Sequence, residues 1–365
     1  MSETRVCIVG AGAIGGFIGT RLAAAGRARV SALARGATLA ALREHGWRLR
    51  MGGQLIQAHA IASDEPAALG PQDLVIIAVK GQALGEVAAR IAPLLAPHTR
   101  VLPAMNGVPW WFGAAVPALA DAPLDSVDPG GRIARAIPLA QVLGCVVHAS
   151  TAQPEPGLVQ HAMGQGLIVG EPAGGSSVRA QQTVDLLAHA GFEATLSTDI
   201  RSALWYKLWG NLTMNPVSAL TGATIDRVLA DPLVRDFCSA AMAEAQTIGA
   251  RIACPIDQTP EDRHAVTARL GAFRTSMLQD ADAGRPIELD AIVGAVREIG
   301  LRLAIPTPHV DALLGLTRLF GRVQGLYPEV LRATQPDTGI GLSTCALPAV
   351  AGPECNISPS GKVRR

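Results

Sequence analysis

A glycine-rich turn sets the first constraint on this chain. Val6 to Val9 is a short apolar run of the kind that forms a buried parallel strand. It leads into GAGAIGG, then an Ala/Leu-rich helical stretch through Ala25, then a second apolar run from Arg29 to Leu33. Gly10, Gly12 and Gly15 thus form G-x-G-x-x-G between a strand and a helix. The first glycine permits a tight turn, and the second lets the N–H groups around Ala13 and Ile14 approach a pyrophosphate. The third allows close helix–strand packing. Such a turn can be purely structural in an Ala-rich chain, but its place at the start of a βαβ unit points to dinucleotide binding.

The second run ends in Ala34-Arg35-Gly36. Folds that bind NAD usually carry an acidic residue here for the ribose 2′-hydroxyl. A guanidinium instead matches a 2′-phosphate, so NADP is expected over NAD, the alternative being an ordinary surface Arg. Trp47 to Ile61 reads as a hairpin turning at Gly52-Gly53. Asp73 to Lys80 and Arg100 to Ala104 read as further buried strands, placing Lys80 and Met105-Asn106-Gly107 at the carboxyl edge, where open α/β sheets bind ligands. Asn106-Gly107 could equally be a plain turn.

Val108 to Phe112 concentrates aromatics; core packing is the default reading, the alternative being that one of Trp110 and Trp111 faces the site. Residues 121–138 look like an insertion over that edge. Val142 to Ala149, Leu158 to Ala162 and Leu167 to Val169 read as strands extending the sheet, followed by a helix from Ser176 to Ala190 and a last strand from Phe192 to Leu196. Beyond Thr198 the pattern is helical throughout, including Asp231 to Gly249 and Glu261 to Ala283. The expectation is an α/β protein: a Rossmann-type dinucleotide-binding domain (1–198), an all-α domain (199–335) and a mobile tail (336–365).

On the first helix of the second half, Lys207, Asn211 and Asn215 recur every four residues. That puts an ammonium and two amides on one face, bordered by Trp205 and Trp209. Asn is a poor helix former, which weighs against a plain solvated face. Pro216 should kink or end the helix beside Asn215. Further on, Arg274 to Asp280 reads as a helix end and Gly284-Arg285-Pro286 as a turn. Ile287-Glu288-Leu289-Asp290 then opens a new helix, where capping would account for both carboxylates.

The Gly-rich start, the Lys-Asn-Asn stripe and the SMLQD and IELD segments together resemble the ketopantoate reductase (2-dehydropantoate 2-reductase) family, over roughly residues 5 to 315. The resemblance implies NADPH-dependent reduction of a 2-oxo acid, first of all 2-dehydropantoate to pantoate in pantothenate biosynthesis. It implies Lys207 as the catalytic cation and acid, with its ordinary pKa near ~10.4, and Glu288 as the acidic residue orienting substrate and ammonium. Asn106, Asn211, Asn215 and Ser276 would contact substrate, while Lys80 and Asn106 would lie around the cofactor. A homodimer could follow, as in relatives. Related dehydrogenases for other branched or aromatic 2-hydroxy acids are an alternative. A non-catalytic NADP-binding regulator is another, against which Lys207 and Glu288 argue.

Composition adds exclusions. A formal net charge of +1 over 365 residues leaves no basic field for nucleic acid. Six widely spaced cysteines without a C-x-x-C pair suggest reduced cytoplasmic thiols. His148 and His161 lack ligand-like spacing, so no metal is expected. No secretory signal and no membrane span are expected, because Gly interrupts the first apolar run and no later run reaches about 18 residues.

Overall fold

The computed structural model describes residues 3–120 and 122–329. Ten strands fall into two sheets: β1 (Thr4–Val9), β2 (Ala28–Leu33), β3 (Trp47–Met51), β4 (Gln54–Ala58), β5 (Ile61–Ser63), β6 (Leu74–Ile77), β7 (Arg100–Pro103), β8 (Gly144–Glu155), β9 (Leu158–Gly170) and β10 (Glu193–Ser197). The first sheet is parallel, in the order β5-β2-β1-β6-β7. Its central strands are apolar and buried from Val6 to Val9 and along all of β6, because both faces are covered. The carboxyl ends of β1, β2, β6 and β7 bring Gly10, Arg35, Lys80 and Asn106 to one edge.

Against the expectation from sequence, the strands from residue 142 onward do not extend this sheet. They build a second one, β10-β9-β3-β4, with β8 antiparallel to β9, and touch β7 only through an isolated Val101–Val142 bridge. The hairpin β3–β4 supplies the other side of that sheet, turning at Gly52-Gly53 as expected. Helix Ala13–Ala25 is clamped between the sheets. A Cβ at Gly19 would stand 2.5 Å from the Trp47 ring, so only a residue without a side chain lets the helix lie that close.

Trp110, Trp111 and Phe112 are all buried, with Phe112 stacked on Trp205 at 6.0 Å. Neither Trp faces the site; both fill the interior that joins the first sheet to the helices. Residues 122–138 contribute Leu124, Ile133 and Ile137 to that same core. There the buried Asp128 carboxylate accepts from the N–H groups of Ile133 and Ala134.

The helical half comprises Ile200–Thr221, Ile225–Ala230, Pro232–Arg251, Pro260–Ala268, Ser276–Asp282, a π-turn at Asp290–Gly294, Ala295–Arg302 and Pro308–Val323. Helix Ile200–Thr221 continues past Pro216 instead of ending beside Asn215. The Pro costs one backbone bond, and burial of nearly every residue from Leu208 to Ala219 offsets it. The expected single helix from Glu261 to Ala283 is instead two, parted where Gly271 takes φ +61. Thr275 starts the second by accepting from the Leu278 N–H, so Arg274 to Asp280 begins a helix rather than ending one. The expected tail, 336–365, lies outside the described residues.

Candidate functional site

Gly10, Ala11, Gly12, Arg35, Thr38, Val79, Glu86 and Arg90 line a cleft of about 220 Å³ at the carboxyl edge of the first sheet. A dinucleotide fits what is found there. Gly10 has φ +89, and a Cβ on it would stand 2.6 Å from Val79. A Cβ on Gly15 would overlap the Gly10 carbonyl. A Cβ on Gly12 meets nothing within 4 Å, so it would project into the space a pyrophosphate needs. Helix Ala13–Ala25 has no side-chain cap and no acidic residue in its first turn, leaving its N–H groups and dipole to an anion.

The Lys207 helix is locked in rotation by its two indoles. Trp205 Nε1 donates to the Ala245 carbonyl at 3.2 Å and Trp209 Nε1 to that of Met242 at 2.8 Å. Lys207, between them in sequence, therefore faces the β7 and β8 ends. Its Nζ donates to Asn106 Oδ1 at 2.9 Å and to the Val147 carbonyl at 2.7 Å. Two of three donors are used, and one remains for a substrate oxygen. Burial pushes the ammonium down to about 8, against the ordinary pKa expected from sequence. Glu288 offsets part of that shift. Cys145, its thiol pushed up to about 12 by its own burial, carries no charge near neutrality.

The resemblance implies that Glu288 orients the Lys207 ammonium, but no hydrogen bond joins the two here. The Glu288 carboxylate accepts from the Gly81 N–H at 3.1 Å and from Lys80 Nζ at 3.3 Å. Lys80 also donates to the buried Asp280, at 2.5 Å, and Asp280 binds Arg285 Nε at 3.0 Å. Burial lowers the Lys80 pKa, but the Glu288 and Asp280 carboxylates outweigh it and hold the ammonium above its ordinary value. With Gln82 Nε2 bonded to the Ile287 carbonyl, residues 80–82 clasp the helical half.

The structure thus joins Lys207 with Asn106, and Lys80 with Glu288. Asn211 lines a small cavity beside Lys207, Met105 and Cys145. Asn215 is buried a turn further on, and Ser276 is exposed at a helix start; neither is hydrogen-bonded to the Lys207–Asn106 pair. Gly10, Gly12 and Arg35 line the cleft, and Ala13, Ile14 and Gly15 form the start of the helix that follows Gly12. Sequence reasoning missed Asp280. Its signal was a carboxylate in the second half of a helix, where the dipole disfavours it unless a cation compensates. Asp290, read as a cap, instead accepts from Tyr327 Oη at 2.5 Å.

Fold and site together define a dinucleotide-binding protein of the Rossmann class with a helical half that places a lysine at the sheet edge. The chain belongs to the ketopantoate reductase family. The profile described as ketopantoate reductase PanE/ApbA matches residues 6–174, and its C-terminal counterpart matches 199–320. The 2-dehydropantoate 2-reductase of Mesorhizobium japonicum is 41% identical over 88% of this chain and 99% of its own length. A crystal structure from Ralstonia solanacearum MolK2, also assigned as a ketopantoate reductase, is 56% identical with a TM-score of 0.86, covering 89% and 100% of the two chains. A D-mandelate dehydrogenase solved with NADH and anilino(oxo)acetate is 20% identical with a TM-score of 0.76, covering 88% and 100%; it shares the fold.

Proposed function

We propose that this protein reduces 2-dehydropantoate to pantoate with NADPH. The observation that carries the reading is the Lys207 ammonium, withdrawn from solvent, held by Asn106 and the Val147 carbonyl, with one donor left over. NADPH, when bound, supplies the hydride. Gly10, Gly12 and the N–H groups of Ala13 and Ile14 would hold its pyrophosphate, and Arg35 its 2′-phosphate. As charge grows on the ketone oxygen, the remaining Nζ–H of Lys207 stabilises it and then delivers the proton. A pKa near 8 suits that transfer better than an ordinary lysine, since the acid is charged at neutral pH yet gives up its proton readily. Asn106 orients the ammonium, Asn211 lies within its cavity, and Asn215 and Ser276 are assigned to substrate by the family pattern. Glu288 acts through Lys80, fixing the loop that leads from β6 to the cofactor cleft.

The division of labour follows the expected domains: 1–198 holds the nucleotide and 199–335 supplies Lys207 and the substrate surface. A cytoplasmic location suits the free, buried thiols of Cys7, Cys145, Cys238 and Cys254. No described helix is long and apolar enough to cross a membrane. A homodimer suits the exposed Leu316, Leu319 and Val323 on one helix face.

The test is steady-state kinetics with 2-dehydropantoate and a panel of other 2-oxo acids, beside a direct NADPH titration. Lys207→Ala should lower turnover about 10²–10⁴-fold, the range for a positioned acid, with NADPH affinity close to wild type. Near-normal turnover in that variant would remove Lys207 as the acid. A preference for another 2-oxo acid would move the substrate within the class.

A further inference from the structure

Arg35 does not stand alone at the end of β2. Its Nη1 donates to both carboxylate oxygens of Glu86, at 2.7 and 2.8 Å, from helix Leu84–Arg90 that follows β6. Both side chains line the cleft that Gly10 and Gly12 open into. In NAD-binding folds the β2 end itself supplies the carboxylate that accepts from the adenosine ribose 2′-hydroxyl. Here that post holds a cation, and a carboxylate reaches the same place from an element 51 residues further on. The pair is therefore equipped for either cofactor.

We propose that Glu86 is a specificity-determining residue for the dinucleotide. Arg35 takes the 2′-phosphate of NADPH, and Glu86 accepts from the 2′-hydroxyl of NADH. The inference rests on the dinucleotide reading of the cleft and adds to it a carboxylate that works against NADPH.

Three observations carry it. Both bonds to Glu86 use Nη1, and among the described residues no other acceptor bonds this guanidinium, so Nε and Nη2 are left for a phosphate. The two side chains are 71% and 55% exposed, which makes the pair weak and cheap to rearrange when a ligand arrives. The other cation lining the cleft, Arg90, bonds the Asp64 carbonyl and Glu65 Oε1 at 3.2 Å. Arg35 stands directly after β2, where such folds read the 2′ position, so that reading falls to Arg35 and Glu86. With NADPH, the Glu86 charge stands beside the phosphate and cancels part of the attraction to Arg35. With NADH, it becomes a charged acceptor for a hydroxyl, a strong kind of hydrogen bond. Glu86 thus narrows a preference that Arg35 alone would make wide.

The experiment is a fluorescence titration of the protein with NADPH and with NADH, for wild type and Glu86→Gln, at low and high salt. Glutamine keeps the length and removes the charge. In E86Q, NADPH should bind about 3–10-fold tighter and NADH about 3–10-fold weaker, the scale set by one screened charge and one charge-assisted hydrogen bond. The NADPH gain should shrink as salt rises, because it is a repulsion between exposed charges. Affinities that stay put, shift together, or weaken for NADPH would overturn the proposal, the last showing that Glu86 only positions Arg35. If wild type bound neither dinucleotide, the dinucleotide reading of the cleft would fall too. Tight wild-type binding with an unchanged preference in E86Q would overturn the role of Glu86 alone.

Discussion

Burying an ammonium costs free energy; around Lys207 the Asn106 oxygen and the Val147 carbonyl replace water, and the Glu288 charge offsets part of the shift. The proposed chemistry gives this a visible consequence. Reduction needs the protonated lysine, so its rate should fall as pH rises through about 8, while pantoate oxidation, which needs the neutral amine, should rise through the same window. His148 is the neighbouring titratable group. Burial, Lys207 and Arg263 all push its pKa below the usual histidine range, so it does not produce a limb near 8. Asn106→Ala removes an acceptor that favours the charged form, which moves the reduction limb to lower pH. pH–rate profiles of both directions check this, and an unmoved limb in N106A would mean the limb belongs to another group. The glycines were legible because a strand–turn–helix at that spacing requires them, whereas Lys207 and Asn106 were singled out by the resemblance to the family pattern. The Val147 carbonyl was not, since a backbone acceptor 60 residues away leaves no mark on composition or spacing. Nor was the pairing of Glu288 with Lys80, which depends on how two distant loops meet.

At the level of elements, the π-turn Asp290–Gly294 links the parts of the site. One extra residue in the helical turn shifts the bonding, so that Ala295 N–H reaches the Asp290 carbonyl and the Ala291 carbonyl is taken by the Val108 N–H at 2.7 Å. That bond fixes the loop carrying Asn106, two residues earlier, while Glu288 precedes the turn by two. Tyr327 braces the turn from behind: its hydroxyl donates to Asp290, and the Leu326 carbonyl accepts from the Ile287 N–H at 3.0 Å. Burial holds the Asp290 carboxyl above its usual pKa, with the Tyr327 bond pulling the other way. Tyr327→Phe leaves that carboxylate short of a donor and should cost about 1–3 kcal/mol at neutral pH. The cost should narrow as pH falls and the carboxyl takes up a proton. Urea denaturation at two pH values measures it; a pH-independent loss would point to packing alone. Helix-period and strand-run patterns made most elements readable in advance. The second sheet was not, because apolar runs do not say which edge they join, and β9 paired with β3 instead of extending from β7. Pro216 does not end its helix: the local penalty is real, but the buried surroundings keep the helix going.

For the molecule as a whole, the two expected halves share one interior. A single apolar cluster runs from Cys7 and Val75 in the first sheet, through Phe112 and Trp205, to Ile248 and Val296 among the helices. The clasp of residues 80–82 onto Asp280, Ile287 and Glu288 adds polar bonds across the same boundary. Nucleotide cleft and Lys207 are therefore held by common packing, and neither half should unfold without exposing the other's core. The cluster takes its last members from Leu326, which is buried, and Tyr327, which packs against it. This sets where the chain can be shortened. The Mesorhizobium relative aligns over 99% of its own length but 88% of this chain, so it has no counterpart for the rest. A variant ending at Glu329 should keep the wild-type urea midpoint and turnover. One ending at Gln324 loses the Leu326 side chain, the Ile287–Leu326 backbone bond and the Tyr327–Asp290 bond. It should lose about 3 kcal/mol or more, and turnover with it, since the π-turn that sets Asn106 and Glu288 loses its brace. Equal stability of the two variants would show that the core closes before Leu326. A large loss already at Glu329 would show that residues beyond it contribute to the body or the site.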